Sequence, residues 1–130
     1  MIKRYGRAAM AAAALSMAMT VSAWADVKDY EFQLVSREVS KGDAVIAVKL
    51  VHKPSGRAIP DAVIFAKRID MAPDGMGEMQ AKLDPVPGGE PGTYQFKTNL
   101  DMAGRWALTL GAKVQGESGT VQTKLIVRAK

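Results

Sequence analysis

A chain of 130 residues with 18 basic and 13 acidic side chains, one histidine and no cysteine is long enough for one domain with a single core. Without cysteine it holds no disulfide and no thiolate metal site, so its stability rests on apolar burial. Three of the basic residues lie before residue 8; the other 15, against 13 acidic, leave +2 spread without a run, which excludes the concentrated basic stripe that nucleic-acid binding needs.

The chain opens like a secretory signal. Lys3, Arg4 and Arg7 precede an apolar run from Ala8 to Val21, and Ala23-Trp24-Ala25 offers small residues at the two positions a signal peptidase inspects, ahead of Asp26. The run is weakly hydrophobic and shorter than the roughly 20 residues of a membrane span. Residues 1–25 are therefore expected to be a cleaved signal peptide and residues 26–130 the mature domain, periplasmic and without a membrane span. No twin-arginine pair and no lipidatable cysteine is present, which points to general secretion of an unfolded chain.

After the leader, alternation of apolar and polar residues dominates and no segment sustains a helical period. Tyr30, Phe32 and Leu34 share one face; Ile46, Val48 and Leu50 share the next, in Ala44 to Val51. Asp61 to Ile69 is almost continuously apolar through Val63, Ile64 and Phe65 and reads as a central strand. Met79, Ala81 and Leu83 alternate with polar residues, as do Tyr94 and Phe96. Trp106, Leu108, Leu110, Ala112 and Val114 keep one face, and Val121, Thr123, Leu125 and Val127 close the chain. Gly and Pro punctuate the connections, as in Lys41-Gly42-Asp43, Lys53-Pro54-Ser55-Gly56, the run from Pro87 to Gly92, and Gln115 to Gly119. Seven short strands at this spacing predict an all-β fold, a seven-stranded immunoglobulin-like antiparallel β-sandwich, with a small closed barrel as the rival.

The connection from Ile69 to Met79 stands apart. Met71, Met76 and Met79 fall within nine residues among Pro73, Gly75 and Gly77, and the remaining methionine after residue 25, Met102, sits in the connection Asn99 to Gly104. Successive connections of a sandwich alternate between its two ends, so these two loops are predicted to meet, with His52 at the opposite end and outside any site. A thioether is a soft, neutral ligand suited to Cu(I), and to Ag(I) by the same softness. It binds without losing a proton and forms no disulfide in an oxidising compartment. The same methionines also suit the capping of an open sandwich end, and Met79 continues the apolar face of Ala81 and Leu83 as a core residue would. Asp70, Asp74, Glu78 and Asp101 are candidate hard-cation ligands, but their spacing lacks the order of a calcium loop. No nucleophile–base pair and no phosphate-binding Gly-rich loop is present, so no enzyme is expected.

The order Asp70-Met71-Ala72-Pro73-x-Gly75-Met76, then Pro91-Gly92-x-Tyr94, then Met102-x-Gly104-x-Trp106 resembles the YtkA-like/FixH-like domains, over roughly residues 30 to 128. These are exported or membrane-anchored β-sandwich domains linked to copper and heavy-metal handling. The resemblance implies Met71, Met76 and Met102 as metal ligands, with Met79 adjacent, and a periplasmic copper-binding accessory protein acting as Cu(I) chaperone or buffer. Ala72 between Met71 and Pro73 makes the loop longer than the compact Met-Pro-x-Met of that family. The alternative is a metal-free interaction module of a periplasmic efflux or oxidase-assembly complex.

Overall fold

The computed structural model describes residues 27–130; the expected signal peptide and its cleavage point lie outside the described residues. Within them ten strands form two sheets: β1 Tyr30–Leu34, β2 Glu38–Val39, β3 Gly42–His52, β4 Arg57–Ala58, β5 Val63–Met71, β6 Met76–Ala81, β7 Asp84–Val86, β8 Thr93–Leu100, β9 Gly104–Lys113 and β10 Val121–Ala129. One sheet runs β1-β3-β8-β7, with β4 extending along β3; the other runs β2-β10-β9-β5-β6. All pairings are antiparallel except that of β2 with β10. This is the expected immunoglobulin-like sandwich.

The alternation seen in the sequence fixes which face of each strand is inward, because successive side chains of a strand point to opposite faces. Phe32, Ile46, Val48, Leu50, Phe96 and Leu100 of the first sheet are buried, as are Ile69, Trp106, Leu108, Leu110, Ala112 and Val127 of the second. Each fully buried Val, Leu, Ile or Phe side chain among these stabilises the fold by roughly 1.5–3 kcal/mol relative to exposure.

The seven expected strands are all present, and β2, β4 and β7 are additional. Two expectations change. β5 is internal to its sheet, but Val63 and Phe65 are exposed. A bulge between Ile64 and Ala66 breaks the alternation and turns Phe65 over the bare backbone of Gly111, where an added Cβ would lie 3.1 Å from its ring. The stretch from Ile69 to Met79, expected as an exposed loop, is mostly strand. β5 continues through Met71 and β6 begins at Met76, leaving one turn of 3-10 helix, Ala72–Asp74, and Gly75 between them.

The connections alternate ends as expected. Gly42 pairs with Leu100 at one end of β3, and His52 pairs with Tyr30 at the other. His52 packs its ring against Tyr30 (centroids 5.1 Å apart) and sets Nδ1 2.8 Å from Ser55 Oγ, far along the strand from the methionines.

Candidate functional site

The end of the sandwich that carries the methionines is built from a hairpin and a connection. In the hairpin, Met71 and Met76 stand directly opposite each other across the β5–β6 ladder. Directly opposed residues put their side chains on the same face, and this pair belongs to the inward face with Ile69 and Ala81. The register then jumps: Asp70 pairs with Gln80, so Gly77, Glu78 and Met79 are extra residues on β6. Arg68 Nη2 donates to the Gly77 carbonyl at 3.1 Å and holds this irregular stretch.

Carboxylates fix the turn. Asp70 accepts from Arg68 Nε (2.6 Å) and from the Ala72 N–H (2.9 Å). The hydrogen bond from Arg68, then that from Ala72, lower its pKa below the ordinary carboxylate value. Asp74 reaches across to the other connection. It accepts from the Arg105 backbone N–H and from Arg105 Nε, both at 2.8 Å, while Arg105 Nη2 donates to the Pro73 carbonyl at 2.8 Å. The backbone bond from Arg105, then its guanidinium, lower the Asp74 pKa. Neither Asp70 nor Asp74 is left as an open ligand, and among the described residues no group of three or more His, Cys, Asp or Glu could hold a metal ion. The hard-cation alternative has no support here.

The second connection, Asp101 to Ala103, is clamped from below. Trp106 is buried and its Nε1–H donates to the Met102 carbonyl at 3.1 Å. Gly104, at φ +144°, lets the hairpin come close. A Cβ there would lie 2.5 Å from Asp74 Oδ2 and 2.7 Å from the terminal methyl of Met71. The two methionine-bearing connections thus meet at one joint, with the Met71 methyl against Gly104, two residues from Met102.

The four methionines differ in access. Met71 is 1% exposed and part of the core; Met76 and Met79 are half-buried against it; Met102 is 40% exposed. The burial of Met71 corrects the expectation of an open loop ligand. Its position continues the inward alternation of Ile69, so the strand buries it. As a ligand type, a neutral thioether suits a soft monovalent cation better than a hard one.

The remaining sequence motif is structural. Gly92, at φ +89°, passes so close to β4 that a Cβ would meet that of Ala58 at 2.5 Å. Tyr94 donates to the Ile59 carbonyl at 2.6 Å and accepts from the Ala62 N–H at 3.0 Å. Burial is the main cause that raises its pKa above the ordinary phenol value. Pro91-Gly92-x-Tyr94 therefore pins the β4–β5 connection at the end away from the methionines. Sequence reasoning left Arg105 and Asp74 unassigned to each other; nothing in their spacing reveals a pair formed across 31 positions.

Among solved structures, the chain is similar to the Lin-41 filamin domain, at 19% identity and a TM-score of 0.45, covering 76% of this chain and 91% of that one. No curated protein matches the sequence. A family model described as YtkA-like matches residues 25–111, a span that takes in the methionine hairpin, the Tyr94 corner and the Gly104–Trp106 clamp. The chain belongs to the YtkA-like family.

Proposed function

We propose that this protein is a periplasmic accessory protein that binds Cu(I) as cargo, without catalysing a reaction, through thioethers at the joint between the β5–β6 hairpin and the β8–β9 connection. The observation that carries the reading is the convergence of Met71, Met76 and the Met102 connection on one joint, held by Asp74–Arg105 and by Trp106. Met102 is the most accessible donor, Met76 and Met79 are half-buried on β6, and Met71 lies in the core opposite Met76. Neutral donors compensate none of the cation's charge, which gives modest affinity and suits transfer to another protein better than storage. Because no ligand proton must be displaced, binding persists into mild acid.

Competition with a chromogenic Cu(I) chelator under anaerobic, reducing conditions tests this, using a chain that begins at Asp26. Stoichiometric binding is expected, and Met76→Leu with Met102→Leu should abolish it while leaving the far-ultraviolet spectrum unchanged. Met71→Leu conserves volume in the core and costs less than about 1.5 kcal/mol of stability. A folded wild-type domain that takes no Cu(I) at any chelator concentration would sink the proposal. That result would favour a metal-free module that docks on an efflux or oxidase-assembly partner, for which the full burial of Met71 is the favouring observation.

A further inference from the structure

A sheet edge exposes unpaired N–H and C=O groups and invites another strand, so folded proteins close their edges. Here the edges are closed unequally. β7 is three residues long and carries Pro85, which has no N–H to offer. β6 is broken by its register jump. β1 has only five residues. β10 has nine, with continuous register against β9 from Val121 to Ala129 and no proline or bulge. On its other side, among the described residues, β2 pairs with Arg128 and Ala129 alone.

The direction of the free groups follows from that partial cover. Arg128 N–H donates to the Arg37 carbonyl at 2.8 Å and Lys130 N–H to that of Val39 at 3.0 Å. By the two-residue alternation of a strand, Gln122, Lys124 and Ile126 direct their N–H and C=O groups to the same edge, beyond the reach of β2. A groove of about 820 Å³ lies beside the Lys124–Arg128 part of this edge, between β10 and β1. Apolar Leu34, Leu125 and Ile126 line it together with cationic Arg37, Lys124 and Arg128. Ile126 is 45% exposed. Of its two carboxylates, Glu38 is bound to Lys130 Nζ at 3.0 Å and Glu31 accepts from Gln33 Nε2 at 2.9 Å.

We infer that the free edge of β10 is a docking site for an extended, acidic polypeptide segment that adds as a further strand over Gln122–Ile126. Backbone hydrogen bonds supply the pairing, and alternate side chains of the segment read the groove. The charge of the rim selects the occupant. A second copy pairing through β10 would bring the Lys124 and Arg128 side chains of both copies onto one surface, where like charges repel. A segment bearing carboxylates at alternate positions meets Arg37, Lys124 and Arg128 with opposite charge and is steered to them. The site is independent of the methionines: it uses backbone groups of β10 and survives a failure of the Cu(I) reading.

The test uses the protein as the cell processes it and two capped peptides of alternating residues, one Glu/Val and one Lys/Val. Calorimetry and amide hydrogen exchange by NMR are the readouts. The Glu/Val peptide is expected to bind, to slow exchange at Gln122, Lys124 and Ile126, and to weaken as salt rises; the Lys/Val peptide is expected not to bind. Ile126→Pro removes one edge donor while sparing the β9 ladder and should weaken binding about tenfold or more. Should that variant fail to fold, Lys124→Glu with Arg128→Glu is expected to reverse the preference between the peptides. Slow exchange at these three amides in the protein alone would overturn the inference, because the edge would then be covered by the chain's own N-terminal segment or a second copy. Peptide binding that leaves the three amides unprotected, or no binding of the Glu/Val peptide, would overturn it equally.

Discussion

Gly104 is the residue on which the methionine end depends most directly. Its backbone conformation disfavours any side chain, and the space a Cβ needs is taken by Asp74 Oδ2 and the Met71 methyl. Gly104→Ala is expected to cost about 2 kcal/mol or more from backbone strain with the added clash, read as a lowered urea midpoint at unchanged slope. The same substitution should push the hairpin off the β8–β9 connection and weaken any ligand held between them, an effect that a remote destabilising substitution would not share. Residue identity alone was enough to single out Met71, Met76, Met79 and Met102. It was not enough to rank them by access, because access is set by the partner sheet. The signal for the burial of Met71 was nevertheless present: Ile69 and Met71 are two apart, and the strand simply runs on past the acidic Asp70.

At the scale of elements, the Tyr94 corner does for one end of the sandwich what the Asp74–Arg105 pair does for the other. Its hydroxyl satisfies one donor and one acceptor of the connection that carries the chain from β4 to β5. Tyr94→Phe leaves the Ala62 N–H and the Ile59 carbonyl without that partner and is expected to cost about 2 kcal/mol, measured by chemical unfolding. Strands of five residues or more were legible because their alternation repeats. β2, β4 and β7, at two or three residues each, have no period to read, and they form because a neighbouring strand offers an edge. β8 was legible only as far as Phe96. It continues through Thr98 and Leu100, both buried, but a threonine among Lys97 and Asn99 gives no apolar signal. Conversely, the apolar run Val63 to Phe65 announces burial that the bulge at Ile64 cancels.

For the whole molecule, acid is the condition that bears on the methionine end. Asp70 and Asp74 have folded-state pKa values below their unfolded ones. Their contribution to stability is therefore complete above the unfolded value of about 3.9 and is lost as pH falls through the folded values. Urea midpoints should hold steady from pH 7 to about 5 and fall below pH 4. Asp70→Asn should flatten that fall, since the amide has no proton to gain; an equally steep fall in the variant would assign the acid sensitivity to other carboxylates. Thioether donors do not titrate in this range. Loss of Cu(I) below pH 4 would thus report the loosening of the joint and not the protonation of a ligand.

The bond from the Trp106 indole to the Met102 carbonyl also gives the molecule an optical handle. Trp24 and Trp106 are its two indoles, so a chain lacking residues 1–25 emits from Trp106 alone. That fluorophore is sealed in the core, yet hydrogen-bonded to the connection that carries the most exposed of the described methionines. A heavy soft cation arriving at Met102 would register as quenching of a single, blue-shifted emitter, so any such occupancy would be readable without an added label.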